Sequence, residues 1–183
     1  MVYSADIKKL PRRFLPNEFV IKDWSSLEPF FKELAERKID SPAMLEDWLK
    51  DVNEIEAALS EDACWRQIKM TCDTENKELE EAFNFFMMEI QPKIQPYADQ
   101  LNRKLVGSPF TKELDQTKFF TYLRNVKKNI DLFREANIPL QAEMSVEAQR
   151  FGMIAWKMTV EVNGQEYTLQ QAAKFLEEPD RKL

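Results

Sequence analysis

The 183-residue sequence contains no histidine, three glycines and two cysteines. Without histidine, the chain lacks the imidazole base of serine and cysteine triads and the usual ligand of zinc. So little glycine argues against turn-rich β architecture and against a glycine loop that cradles phosphate. No apolar run approaches the ~18 residues of a membrane span. We therefore expect a cytoplasmic protein with no membrane partner and no cofactor bound to this chain.

The charge of the chain is acidic, with a net value of −6. Nucleic-acid binding needs a basic face that displaces counterions, so no nucleic-acid partner is expected. The basic doublets Arg12-Arg13 and Lys127-Lys128 are too short for such a face and are interpreted as surface charges. Cys64 and Cys72 lie about 12 Å apart along one predicted helix, too far for a disulfide. They are expected to be buried or partly buried free thiols.

Hydrophobic periodicity predicts a mainly α fold, an antiparallel bundle of about five helices. Residues 1–23 have no helical period and are expected to form an extended arm with Phe14, Leu15, Phe19 and Val20 as its apolar contacts. The bundle is assigned to residues 24–157, beginning with a helix from about Trp24 to Lys38 whose apolar residues are Leu27, Phe30, Phe31 and Leu34. Ser41-Pro42 is a typical helix start, a serine cap followed by proline. The second helix is expected to bury Leu45, Trp48, Val52, Ile55, Leu59, Trp65, Ile68 and Cys72.

The third predicted helix has the most regular pattern, which runs from Leu79 to Leu105 through Phe83, Phe86, Ile90, Ile94, Tyr97 and Leu101. Pro92 and Pro96 lie inside it and should bend its axis, and Gly107 should end it. A fourth helix is predicted from about Thr117 to Ala136, with Phe119, Phe120, Leu123, Val126, Ile130 and Phe133 facing inward and Asn137-Ile138-Pro139 as its end. A fifth helix is predicted from about Ser145, with Ala148, Phe151, Ile154 and Ala155 along one face.

Residues 158–183 differ from the rest of the chain. The period-two alternation from Met158 to Val162, the turn pair Asn163-Gly164 and the returning Glu166-Tyr167-Thr168 predict a small β-hairpin. Leu169 to Glu177 is predicted to be a short helix. Pro179-Asp180-Arg181 is interpreted as the first turn of another helix, truncated two residues later, that leads into a missing domain.

Two groups of side chains could carry chemistry. Asp47 with Asp51, and Glu54 with Glu61, share helical faces, but acid–base catalysis needs two carboxyl groups that converge in a cleft. A solvated helix surface is the favoured interpretation of these acids. The series Phe83, Phe85, Phe86, Met87 and Met88 could line a hydrophobic ligand groove, but core packing is favoured because most of it lies on the apolar stripe. No catalytic, cofactor-binding or metal-binding residue is assigned.

The segment from Trp156 to Leu183 resembles a stretch of oligoendopeptidase F-type zinc metallopeptidases, which are similar to thimet oligopeptidase. The hairpin sequence Val160-Glu-Val-Asn-Gly-Gln-Glu-Tyr-Thr-Leu169, the short helix and the Asp180-Arg181 pair occur in the order found in that family. The preceding helical layout is also similar, so the resemblance covers nearly the whole chain. No catalytic motif lies within it.

The resemblance implies that this chain is the non-catalytic N-terminal lobe of a longer zinc peptidase, whose missing catalytic domain carries a His-Glu-x-x-His zinc site. The lobe would act as channel wall and substrate-size filter. Its partners would be its own catalytic domain and short peptides, and a cut surface would favour self-association of the fragment. The alternatives are a self-contained helical module that binds a protein or peptide, and a bundle with an internal apolar cavity for a ligand.

Overall fold

The structure is a computed structural model that describes residues 11–177 of the chain. Six longer α-helices form the body, and a small hairpin with a short helix follows them. The longer helices are α1 (Trp24–Glu36), α2 (Pro42–Cys72), α3 (Lys77–Phe85), α4 (Gln91–Gly107), α5 (Gln116–Leu132) and α6 (Ile138–Lys157). The C-terminal elements are β1 (Thr159–Val162), β2 (Gln165–Thr168) and α7 (Leu169–Ala172). The predicted fold class, a mainly α bundle with one hairpin, is confirmed.

Helix starts follow the local capping chemistry of the sequence. The Asp23 side chain accepts the backbone N–H of Ser26 at 2.9 Å and starts α1 as a capping box. Ser41 Oγ accepts the N–H of Met44 at 3.2 Å, with Pro42 at the first helical position of α2. Asp115 accepts two N–H groups at the start of α5. Each cap satisfies donors that a helix leaves unpaired at its N-terminus, so the position of these starts is encoded locally.

The hydrophobic core lies between α1, the first half of α2, α4 and α5. Its fully buried large side chains are Leu27, Leu34, Leu45, Trp48, Leu49, Ile55, Ile90 and Leu105. The arm before α1 contributes the buried Leu15 and Ile21, whereas Val20, expected to pack, is 63% exposed. Neighbouring positions of an extended segment point to opposite sides, so Phe19 and Ile21 pack and Val20 does not.

The C-terminus of α1 is held by side chains from two other helices. Lys104 Nζ of α4 donates to the carbonyl oxygens of Leu34, Ala35 and Arg37 at 2.8, 2.8 and 2.5 Å. Trp48 Nε1 of α2 donates to the same Leu34 oxygen at 2.9 Å. These bonds satisfy carbonyls that the helix itself leaves unpaired, and they join three helices at one point.

The predicted long third helix is continuous from α3 to α4 through a π-helical turn, Phe86–Ile90. The Gln91 N–H bonds to the Phe86 carbonyl within this turn. Pro92, which has no N–H to donate, follows this wide turn directly, where the regular α-helical hydrogen-bond pattern is already interrupted. The buried residues agree with the predicted stripe: Phe83, Phe86, Ile90, Ile94, Leu101 and Leu105.

The boundary between the fourth and fifth predicted helices was wrong. α5 ends at Leu132, and Asn137-Ile138-Pro139 begins α6 rather than ending a helix. Pro139 lies in the first turn of α6, where its fixed φ is compatible with the helix and its missing N–H costs nothing. The fifth helix therefore starts at Ile138, seven residues before the predicted start at Ser145.

Several residues predicted to be buried are exposed. Trp65 and Ile68 on the second half of α2 are 54% and 46% exposed, and Phe120 on α5 is 62% exposed. Cys64 and Cys72 are free thiols, but both are exposed rather than buried. The second half of α2 extends beyond the core, so its apolar stripe continues without a neighbouring helix to cover every residue.

The hairpin pairs as predicted, antiparallel from Thr159 opposite Thr168 to Val162 opposite Gln165. Asn163 and Gly164 have φ of 54° and 78°, as the two-residue turn requires. The sheet packs on α7, and the Tyr167 and Phe175 rings meet edge to face at 5.1 Å. Pro179-Asp180-Arg181 lies outside the described residues. Among residues 11–177, no helix combines the length and apolar character needed to cross a membrane.

Candidate functional site

The carboxylate of Glu54 on α2 binds the backbone of the N-terminal arm. Its Oε2 accepts the N–H of Arg13 at 2.9 Å, and its Oε1 accepts those of Phe14 and Leu15 at 3.1 and 2.7 Å. Partial burial acts to raise the pKa of Glu54, but the three N–H donors lower it below its ordinary value. The backbone of the arm is thus fixed to α2 by a charge-assisted cluster.

Asp51 lies one turn earlier on α2 and is 5% exposed. Arg13 Nε of the arm lies 2.7 Å from its Oδ1, and Arg37 Nη1, just after α1, lies 2.6 Å from its Oδ2. Asp47 lies further out and pairs with Lys50 at 2.8 Å and Arg13 at 3.5 Å. The expectation of a solvated acidic face is wrong for Asp51, which links the arm, α1 and α2.

The four candidate acids do not form a catalytic pair. Asp47, Asp51 and Glu54 are engaged with cations and backbone N–H groups, while Glu61 lines a separate surface depression beside Asp62. The basic doublets also differ in role. Arg12 and Arg13 hold the arm, Arg12 by donating to the carbonyls of Pro16 and Phe19 at 3.1 Å each, whereas Lys127 and Lys128 are exposed on α5.

The donor set for a metal is absent from the part of the chain that the structure describes. No three Asp, Glu or Cys side chains converge there to hold a metal ion, and the sequence has no histidine. The residues present therefore do not fit the zinc that the resemblance implies for the parent protein.

The aromatic series divides between core and surface. Phe83 and Phe86 are buried, as the packing interpretation predicted, while Phe85 and Met88 are 40% and 44% exposed. Phe83, Phe86 and Met87 also line a groove between α2, the π-helical turn and α6. The same residues therefore pack in the core and line the groove.

Helix α6 is apolar on two opposite faces. One face carries the buried Ile138, Ala142 and Gln149 and packs on the rest of the bundle. The opposite face carries four large exposed apolar side chains, Leu140 (56%), Met144 (69%), Phe151 (73%) and Ile154 (67%), with the exposed Glu147 among them. Met158 (52%) follows directly after the helix. We call these five apolar residues the outer α6 face. A soluble helix with one packed stripe normally has a polar opposite side, so the outer α6 face has the composition of an interface. Sequence periodicity placed Phe151 and Ile154 along one face of the fifth predicted helix.

The described residues form a helical body with an N-terminal arm, and no group of three Asp, Glu or Cys side chains among them could hold a metal ion. The family model for the Peptidase M3 N-terminal domain matches residues 14–133, and the chain belongs to this family. The match covers the arm from Phe14, α1 to α5 and, apart from Arg13, the cluster around Glu54. Comparison with curated proteins and with solved structures gives no match.

Proposed function

We propose that this chain is the non-catalytic N-terminal lobe of an oligoendopeptidase F-type zinc peptidase, whose catalytic domain follows in the parent protein. The family match over residues 14–133 supports an M3 peptidase N-terminal region. The hairpin and Leu169 segment support the oligoendopeptidase F type by resemblance. The lobe itself breaks no bond, and the catalytic domain would supply the zinc.

The observation that carries this proposal is the outer α6 face. It lies on the helix that follows the matched region and precedes the hairpin, so it is placed where the chain leads toward the proposed catalytic domain. Fully covering side chains of this size contributes about 1.5–3 kcal/mol each. Contact of this face and the hairpin with the catalytic domain would bury the apolar surface and fix the lobe against it.

The proposed mechanism is steric. A rigid helical lobe held opposite a catalytic domain leaves a narrow channel between them, which admits short or unfolded peptides and excludes folded proteins. The joints at Glu54 and Lys104 serve this role because they tie the arm, α1, α2 and α4 into one body. A flexible lobe would not keep the channel narrow and would not discriminate substrates by size.

The first test is to sequence the coding region past the codon for Leu183. The proposal expects an uninterrupted reading frame that encodes a His-Glu-x-x-His motif and a downstream glutamate. A frame that ends at Leu183, or continues without the motif, overturns it in favour of a self-contained helical binding module.

The second test compares the full-length protein with its catalytic domain alone. The full-length protein should cleave short peptides but not a folded protein, and the purified 183-residue chain should bind no zinc and cleave neither. Zinc-dependent turnover by the pure 183-residue chain would overturn the proposal. The proposal would also be overturned if the catalytic domain alone excluded the folded protein as well as the full-length protein does.

A further inference from the structure

A cleft between α2, the π-helical turn and the start of α4 has a volume of about 370 Å³. Its apolar lining includes three buried side chains, Leu59, Phe86 and Ile94. Its polar lining consists of Glu56, Ser60 and Gln91, of which Glu56 and Ser60 are exposed residues at the mouth. We call this site the Glu56 cleft. It combines an apolar floor with a polar and negatively charged entrance.

Glu56 carries the charge of this cleft and has no counter-charge. Within residues 11–177, its carboxyl group takes part in no ion pair and no hydrogen bond. Asp51 and Glu54 on the same helix differ, because they are engaged by two arginines and by three backbone N–H groups. Loss of hydration by burial raises the pKa of Glu56. A carboxylate that loses hydration without gaining a partner is unfavourable, and a bound cation would compensate its charge.

Ser60 and Gln91 add two further acceptors to this carboxylate. Ser60 lies one turn after Glu56 on α2, so the two side chains share one face of the helix. In the part of the chain that the structure describes, neither the Ser60 hydroxyl nor the Gln91 carboxamide has a hydrogen-bond partner. A primary ammonium group has three N–H donors. The carboxylate, the hydroxyl oxygen and the amide oxygen can accept one each.

The class of cation follows from the number of carboxylates. No three Asp, Glu or Cys side chains converge among the described residues, whereas Ca²⁺ and Mg²⁺ require several oxygen ligands. Tyr122 of α5 adds no second negative charge at neutral pH, because burial and the charge of Glu56 raise its pKa to about 12. One carboxylate above an apolar floor matches a monovalent organic cation.

We propose that the Glu56 cleft binds a small primary ammonium ion, whose charged group contacts the three polar side chains and whose apolar group covers the three buried ones. This inference goes beyond the proposed function, in which none of these residues has a role. Benzylamine has the required chemistry at neutral pH, with one positive charge, three N–H donors and an apolar ring. It is therefore the probe for the test.

The test is a titration of the ¹⁵N-labelled 183-residue chain with benzylamine, followed by nuclear magnetic resonance at neutral pH. The signals of Ser60 and Gln91 should shift in a saturable way, with a Kd on the order of 1 mM for a ligand of this size. Benzyl alcohol lacks the charge and phenylacetate reverses it, so both should bind at least about tenfold more weakly. Benzyltrimethylammonium keeps the charge but has no N–H donor, and it should bind about threefold more weakly.

Glu56→Gln keeps the shape of the side chain and removes its charge. It should raise the Kd for benzylamine about tenfold, because the ammonium loses its charged acceptor. Glu81→Gln, at an exposed position of α3, is the matched control and should leave the Kd unchanged. Circular dichroism verifies that both variants fold.

Ser60→Ala tests the hydrogen-bonding part of the site separately from its charge. It should raise the Kd for benzylamine about threefold and leave the Kd for benzyltrimethylammonium unchanged. Absence of saturable shifts, or an unchanged Kd in Glu56→Gln, would show that the cleft holds water only and would overturn the proposal. Equal binding of benzylamine and benzyltrimethylammonium would also overturn it, because the three acceptors would then have no role.

Discussion

The ammonium group of Lys104 on α4 lies 2.8 Å from the carbonyl oxygen of Leu34 near the end of α1. The two residues are 70 positions apart in the chain, yet this bond and its neighbours replace a local C-cap for α1. Burial, followed by the positive charge of Arg37, lowers the pKa of Lys104, and the negative charge of Glu33 opposes this lowering. The ammonium is also 5.6 Å from the centre of the Trp48 ring.

Lys104→Met should destabilise the fold by about 2–3 kcal/mol, because three carbonyl oxygens lose a charged donor while the apolar stem is kept. Urea unfolding monitored by circular dichroism measures this. Lys93→Met on the same helix is the control, since Lys93 pairs with the exposed Glu89 at 3.4 Å and should change stability by less than about 0.5 kcal/mol. Equal losses in the two variants would contradict the capping role.

Glu54→Gln should loosen the N-terminal arm. The neutral amide is a weaker acceptor for the three N–H groups, so about 1–2 kcal/mol of stability should be lost at neutral pH after allowance for solvent screening. Trypsin should then cleave Glu54→Gln after Arg12 and Arg13 faster than it cleaves the unmodified chain at these sites. Glu81→Gln, at an exposed position of α3, should leave the cleavage rate unchanged.

The same variant gives a pH test of the Glu54 cluster. The folded-state pKa of Glu54 is lowered. The contribution of Glu54 to the free energy of unfolding is therefore present above the ordinary glutamate pKa and is lost as pH falls through the folded-state pKa. The difference in free energy of unfolding between the unmodified chain and Glu54→Gln should thus disappear below about pH 4. A gap that stays constant on acidification would show that the effect is steric.

Tyr122 on α5 should make the folded chain less stable at high pH. Burial, with a contribution from the negative charge of Glu56, raises the pKa of Tyr122 to about 12. Between about pH 10 and pH 12 the unfolded chain loses this proton and the folded chain keeps it, so stability falls by about 1.4 kcal/mol per pH unit from this residue. Tyr122→Phe should lack this part of the decrease in stability with pH.

An ultraviolet titration separates this tyrosine from the others. The difference in tyrosinate absorbance between the parent chain and Tyr122→Phe should rise near pH 12 while the protein is folded. A difference that rises near pH 10 would place the Tyr122 hydroxyl in solvent and remove the predicted slope.

The outer α6 face should cause the isolated 183-residue chain to self-associate. The double variant Phe151→Lys and Ile154→Lys places two charges in the middle of this face and should weaken association more than about tenfold. Sedimentation velocity over a concentration series measures the change. Phe120→Lys, at a side chain with similar exposure on α5, should associate like the parent chain. Identical behaviour of all three proteins would exclude this face as the contact.

Local sequence was sufficient for the type of most elements and for several of their ends. Ser41 with Pro42 fixes the start of α2, and Asn163 with Gly164 fixes the hairpin turn. These signals need only neighbouring residues, because a cap or a turn is closed by atoms within about four positions. Pro139 was misread for a related reason, since proline is compatible both with the end of one helix and with the first turn of the next.

Tertiary structure decided which apolar and charged faces found partners. Periodicity placed Phe120, Trp65 and Phe151 on apolar stripes, but only the positions of neighbouring helices show that these side chains are exposed. Asp51 and Glu54 gave the same sequence signal as any exposed acid on a helix, because their partners lie 14 to 41 residues away. The buried amide of Gln149 gave no signal at all. The sequence by itself determined the mainly helical class, the start of α2, the hairpin turn and the lack of histidine, all of which depend on local chemistry or composition. The arm cluster, the Lys104 cap and the groove depend on residues brought together from distant parts of the chain, and only the folded structure could decide them.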